Sequence, residues 1–227
     1  MNMLNAENLE QVTAKTITEI GNTVLPFGIK LKPTIPSTEK LYQTFPNDMK
    51  ELFVDILTKK LSNIQEAAQV TTTRVELEIE MLRKASQEFD LYIPETFYKI
   101  LNEHDVIEIY DVTTKNQLYR NLEFLDRSSY DLLTMLSHPY TDLFERSGDL
   151  GDRLTERSEW VTANESGPVS WDLPDHHLIE KKSPQKWKYL MKMGYVCPVF
   201  STAPETEGQR IAWASTLQVQ RVGFGAG

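Results

Sequence analysis

Residues 48–92 read DMKELFVDILTKKLSNIQEAAQVTTTRVELEIEMLRKASQEFDLY, and the spacing of their apolar side chains sets the expected architecture. Val54, Leu61, Ala68, Val75, Leu82 and Phe89 recur every seven residues. Leu57, Ile64, Thr71, Glu78 and Ala85 interleave with them, so the steps alternate between three and four. Neither Gly nor Pro occurs from Lys50 to Tyr92. On a straight helix a seven-residue stripe drifts around the axis, so a stripe kept this long predicts one continuous, left-handed supercoiled helix. At its normal rise such a helix spans about 64 Å. Two arrangements accommodate that length. The helix lies along its own domain, or it pairs with a second copy in a parallel homodimer through Val54, Leu57, Leu61, Ile64, Ala68, Val75, Leu82 and Phe89. We take pairing as the working expectation. Thr71 and Glu78 interrupt the seam, where polar residues set register at a cost in stability.

Before this stretch, Leu9, Val12, Ile17 and Ile20 share one side of a helix, and Pro26, Pro33, Pro36 and Pro46 then predict an extended linker. Asp48 is a candidate N-cap. Behind it, Pro94 precedes a short helix over 95–103. Val106–Tyr110 and Gln117–Leu122 then form the arms of a hairpin around Asp111–Asn116. Short helices are expected from Ser128 to Phe144 and a polar one over Asp149–Trp160. A lysine-bearing helix carries Trp187 and Leu190, and strands follow at Tyr195–Phe200 and Arg210–Gln220. In the last strand Ile211, Trp213, Ser215, Leu217 and Val219 make one face. Gly223–Gly227 reads as a loose end. The expected organisation is an N-terminal helix and Pro-rich linker over 1–47, a dimerising helix over 48–93, and an α+β domain over 94–227.

The 227 residues are 40% hydrophobic and 10% aromatic, enough for a core, and carry a net charge of −9. Acidity concentrates in 51–105 (−5) and 106–170 (−6), which argues against nucleic-acid backbones as partners. The cluster Lys181, Lys182, Lys186, Lys188 and Lys192 reads as the solvated face of a helix. No stretch is long and apolar enough for a membrane span, and the first residues lack a secretory signal. A single cysteine, Cys197, excludes a disulfide framework. The expected setting is therefore cytoplasmic, without membrane or nucleic-acid partners.

Chemistry-bearing patterns are sparse. Asp172, Asp175, His176 and His177 form the densest set of metal-ligand types, and a metal-dependent enzyme built on them is the alternative reading. Adjacent histidines rarely face one ion, and no H-x-x-x-H or H-E-x-x-H spacing occurs. Cys197 lies in an apolar strand, the setting of a core thiol. Phosphate-binding glycine loops and a nucleophile elbow are absent from the sequence. Catalytic and metal-binding residues are therefore not assigned. Tyr110, Tyr119, Phe200 and Trp213 sit in strands, either as core or as walls of a cavity for a small molecule.

Ile109-Tyr110-Asp111, the turn after it, Leu118-Tyr119-Arg120-Asn121 and the final Ile211–Val219 strand resemble the PAS sensory domain. The resemblance covers residues 104–222. It implies a five-stranded antiparallel sheet with helices on one face, preceded by a coiled coil. It also implies a non-enzymatic sensory or interaction module that binds a small ligand or a protein partner and couples it to a dimerising helix. The cofactor is unspecified, and no kinase, cyclase or DNA-binding output follows the core within these residues.

Overall fold

The computed structural model describes residues 6–146, 150–171, 173–183 and 186–224. Helix α1 (Ala6–Val24) bears out the first amphipathic segment, burying Leu9, Ile17, Ile20 and Val24. The proline-rich stretch after it is not wholly extended. A 3-10 turn over Leu25–Phe27 closes on Gly28 at φ 78°, a left-handed conformation that glycine adopts without strain. Helix α2 (Pro36–Gln43) then starts on Pro36, whose fixed φ suits a first helical position.

The expected continuous helix is two helices, α3 (Asn47–Val70) and α4 (Arg74–Glu88). Asp48 lies inside the first turn of α3, and Pro46 occupies the cap. Between α3 and α4, Thr73 takes extended backbone, and its hydroxyl accepts the Glu76 N–H at 3.3 Å. The Glu76 carboxylate in turn accepts the Thr73 and Thr72 N–H groups at 3.0 and 2.9 Å. This reciprocal cap satisfies donors that a new helix start leaves open, which is why three consecutive threonines end one helix and begin another. The seam is correspondingly spent inside one chain. Leu57, Leu61 and Ile64 pack with Ile17, Ile20 and Val24, while Leu82 and Ala85 pack on the sheet. Val54, Ala68 and Val75 are half-buried, and only Phe89 is well exposed, at 41%.

The rest of the chain builds one antiparallel sheet with helices inserted. In order come β1 (Leu91–Tyr92), α5 (Glu95–Tyr98), β2 (Asp105–Asp111), β3 (Gln117–Arg120), α6 (Leu122–Arg127), α7 (Leu132–Ser137), α8 (Tyr140–Leu143), β4 (Phe144–Arg146), α9 (Leu150–Asn164), β5 (Val169–Ser170), β6 (His176–Glu180), β7 (Trp187–Ser201) and β8 (Arg210–Phe224). Among the described residues the sheet has eight strands instead of five. Its main path is β3-β2-β8-β7-β6-β4, with β1 and β5 both pairing to β7. Helices cover both faces, which corrects the expectation of one. On one face α4 and α5 pack Leu82, Ala85 and Phe97 against Ile107, Ile109, Ala212 and Ala214. On the other, α9 packs Leu154 and Val161 near Trp213 and Val196.

The expected lysine-bearing helix is a connection holding Lys181, Lys182 and Lys186, followed by a strand that carries Lys188 and Lys192. Tyr189 and Met191 are buried on one side of β7 while Lys192 is exposed on the other, a period of two that the lysine spacing disguised as a helix. β8 likewise runs past Gln220 to Phe224, pairing Trp187 with Phe224, so Gly223 and Phe224 belong to the sheet. The expected loose end from Gly225 onward lies outside the described residues. Between Met193 and Val196 the β7–β8 register shifts, and the Tyr195 N–H donates to Thr216 Oγ1 at 2.9 Å. Gly194 makes room for that hydroxyl, since a Cβ there would overlap it.

Candidate functional site

Strand alternation sends Val106, Glu108 and Tyr110 of β2 to the face covered by α6 and α9, and sends Ile107 and Ile109 to the face under α4. The register sets Arg120 opposite Glu108 and Trp213 opposite Tyr110. Buried Glu108 pairs with the Arg120 guanidinium. Gln117 Nε2 donates to Glu108 Oε1 at 3.2 Å and to Tyr110 Oη at 2.8 Å. Tyr110 stacks on Trp213 with ring centroids 5.7 Å apart.

Arg120 also reaches across the fold. Its guanidinium lies 4.3 Å from the Phe124 ring centroid in α6 and 4.7 Å from that of Tyr140 in α8. Arg146, in β4 at the other end of the sheet's path, lies 5.5 Å from the same Tyr140 ring and donates to its hydroxyl at 3.4 Å. The sheet therefore curls until side chains from its two ends share one aromatic ring. His176 in β6 faces the same region. It is 5% exposed, and its ring nitrogens make no well-formed hydrogen bond, the Pro174 backbone being the one polar group that approaches them. Burial first, then the Arg146 charge, push its pKa down to about 4, so the imidazole is neutral at pH 7. Arg120 Nε and Trp171 Nε1 are likewise buried without a partner.

The charge balance of this cluster is positive. Among the described residues Arg120 and Arg146 are answered by Glu108 alone, and Arg146 has no ion pair. A buried guanidinium with spare N–H groups is the chemistry that recognises an oxyanion in two-point fashion. The Tyr110 hydroxyl stays protonated well past neutrality, because burial and then Glu108 raise its pKa. It serves as a hydrogen-bonding group, not a base.

Of the aromatic residues expected to wall a cavity, Tyr110 and Trp213 come together here. Tyr119 does not: it faces the opposite side, among Ile107, Ile109 and Tyr98. Phe200 lies near the end of β7, against Tyr92 at 6.2 Å and under the Arg210 guanidinium. The histidine pair is divided by strand alternation, with His176 buried and His177 half-buried on the other side of β6. Asp172 lies outside the described residues, and no three metal-ligand side chains converge among those described. His176 and His177 lie in a strand, whose alternation sends the two imidazoles to opposite faces of the sheet. Cys197 is a buried thiol whose pKa rises to about 12 through desolvation, a core residue as expected. Arg120, Arg146, Tyr140 and Glu108 were not assigned from sequence. The one available signal was Glu108 itself, a charge inside the apolar run Val106–Tyr110.

Two clefts open on the surface. One of about 610 Å³ runs between α3, α4 and the free edge of β3, past Lys60, Phe89, Leu118 and Leu136, and is lined also by Arg120 and by Tyr119, which thus walls a cavity here and not beside Tyr110. The other, of about 580 Å³, lies where the α2 segment meets the α6–α7 turn and the sheet, and is lined by Lys32, Lys182 and Arg221. Compared with protein-family models, with curated proteins and with solved structures, the chain matches none. Among the described residues no helix is long and apolar enough to cross a membrane.

Proposed function

We propose that this chain is a non-enzymatic sensory or interaction module with a PAS-like core, and that its ligand is a small organic acid held on the α9-covered sheet face. The observation that carries this reading is the positive imbalance around Tyr140: two guanidinium groups share one ring, one of them has no carboxylate among the described residues, and neutral His176 stands beside them without a well-formed hydrogen bond. A carboxylate entering between Arg120 and Arg146 gains charge-assisted hydrogen bonds that water in a buried site supplies poorly. Tyr110 and Trp213 offer a flat apolar wall for the remainder of such a molecule. The PAS-like part of the reading is supported by the hairpin β2–β3, the run of helices α6 to α9, and the return through β6, β7 and β8. A cytoplasmic setting fits the single cysteine, buried and free.

Occupancy has a route out of the sheet. Arg120 rests on Phe124 of α6, and α6 is tied to α4 through the Arg74–Glu123 pair and the Glu78 carboxylate. Ligand binding shifts the α4–α6 arrangement to the extent that it favours one packing over another. Native mass spectrometry tests the proposal. The protein should retain a small acid that Arg146→Gln loses while keeping its thermal midpoint within a few degrees. A wild-type protein that carries no such molecule, and takes up none from a panel of mono- and dicarboxylic acids, would rule the proposal out.

A further inference from the structure

We propose that the cleft between the α2 segment, the α6–α7 turn and the far ends of β6 and β8 binds a small phosphorylated molecule. Its phosphate would lie among Lys32, Lys182 and Arg221, and its apolar body on Ile35 and Leu41. The cleft of about 580 Å³ lies within the size range of small-ligand pockets. Three cations approach it from three separate stretches of chain: Lys32 before α2, Lys182 after β6 and Arg221 in β8. In a chain of net charge −9, no carboxylate among the described residues lines this cleft.

The cations are fixed in place without being neutralised. Arg221 donates to the Arg127 carbonyl at 3.0 Å and stacks its guanidinium 4.0 Å from the Trp187 ring centroid. Lys32 donates to the Asp126 carbonyl, a backbone acceptor. Among the described residues neither has an ion pair, and Lys182 has only a 3.7 Å contact to Asp142 with both side chains about half exposed. The nearby acids are occupied. Buried Glu180 accepts from the Ser129 N–H at 2.8 Å and from the Ser129 and Tyr189 hydroxyls at 2.5 Å each. Asp126 accepts from Lys30 N–H and Arg74, and Asp131 from Thr134. Burial lowers the Lys32 pKa despite Asp126, as it does for an ammonium whose counter-charge is incomplete.

A phosphate monoester carries between one and two negative charges at neutral pH and several acceptor oxygens. It suits three converging cations better than a single carboxylate does. The cleft shares no side chain with the Arg120–Arg146 cluster, so the two ligand sites stand or fall separately. Its walls come from the N-terminal helical layer and from the sheet, so an occupant would clamp one to the other.

Isothermal titration of the full chain with pyrophosphate and with adenosine monophosphate tests this. At least one probe should bind at one per chain. Lys182→Gln and Arg221→Gln should each weaken binding by about tenfold or more, the scale of a lost charge-assisted contact. Arg146→Gln should leave it unchanged. Lys182 is exposed enough that its variant keeps the fold, which a thermal melt verifies. Three results would overturn the proposal: no heat from either probe at about 1 mM, binding that survives Lys182→Gln and Arg221→Gln together, or binding to phosphatidic-acid vesicles with none to the soluble probes.

Discussion

Glu78 and His176 are buried titratable groups whose environments push in opposite directions. Desolvation raises the Glu78 pKa to about 7, against the Leu122 N–H and the charges of Lys60 and Arg74 that favour its anion, with Glu123 adding to the rise. A carboxyl group held protonated in the fold contributes stability that is complete below its unfolded value near 4.5 and is lost as pH climbs through 7. His176 behaves inversely. Its folded pKa of about 4 lies under the ordinary 6.5, so its contribution is complete above 6.5 and is lost as pH falls toward 4. Glu78 loses its contribution between about pH 4.5 and 7 while His176 gains its own between about 4 and 6.5, so the two nearly cancel and give the wild type an almost flat stability across this range. Glu78→Gln should unmask the histidine, giving a stability that rises from pH 4 to 6.5 and exceeds wild type by up to roughly 3 kcal/mol at pH 8, and His176→Gln should unmask the carboxyl, giving a stability that falls from pH 4.5 to 7. Differential scanning calorimetry from pH 4 to 8 on the three proteins measures this. A Glu78→Gln protein whose stability shows no rise from pH 4 to 6.5 relative to wild type would refute the assignment.

At the scale of elements, the Thr71–Thr73 break decides what the heptad stripe is for. Leu61 and Leu82 belong to different helices facing different cores, so Leu61→Glu and Leu82→Glu should unfold the protein instead of dissociating it. Leu82→Ala should cost about 2–5 kcal/mol by leaving a cavity, and Thr73→Ala about 1 kcal/mol through the lost cap. Urea unfolding of wild type and Leu82→Ala at two protein concentrations tenfold apart should give coincident midpoints for each. Midpoints that rise with concentration in wild type would return the seam to a second copy. The same elements show what was legible. The β2–β3 hairpin and the core of β8 could be read because β-branched and aromatic residues run through them and turn residues stand between the hairpin's arms. The helix break could not, since Thr71 occupies a seam position and the period continues in phase across it. β7 was hidden because the spacing of Lys181, Lys182, Lys186, Lys188 and Lys192 also fits a helix face, while the buried side is Tyr189 and Met191. β6 was hidden because His176 and Glu180 are polar residues facing inward. Tyr110 and Trp213 could be placed in strands, but only the β2–β8 register sets them opposite each other and apart from Tyr119 and Phe200. Arg120 and Arg146 could not be placed together, because they meet only through the curl of a sheet whose end strands are distant in the pairing order.

At the scale of the molecule, the helical layer meets the sheet through the apolar packing of α4 and through an ionic joint at α6. Arg74 binds Glu123 and Asp126, Glu123 also accepts from Arg127 at 2.6 Å, and Glu78 accepts the Glu123 N–H at 3.1 Å. Lys30 and Lys32 reach the same helix through Asp126. Beneath it Phe124 contacts Arg120 and Phe144, so this short helix touches the N-terminal segment, α4 and the proposed ligand face at once. A buried ionic joint of this kind adds little net stability over apolar packing, yet removing one partner strands a charge. Arg74→Leu should therefore cost about 3–5 kcal/mol, while Arg74→Leu with Glu123→Leu should recover most of that loss. If the joint couples the two layers, α4 and α6 form one cooperative unit, and their slowest amides exchange with the same opening free energy. The double variant, stable but without the ionic tie, should separate them, with α6 exchanging ahead of α4. Native-state hydrogen exchange read by mass spectrometry or NMR distinguishes the cases. If α6 already opens well before α4 in the wild type, a signal on the sheet has no rigid path to the helices, and the coupling argued here does not exist.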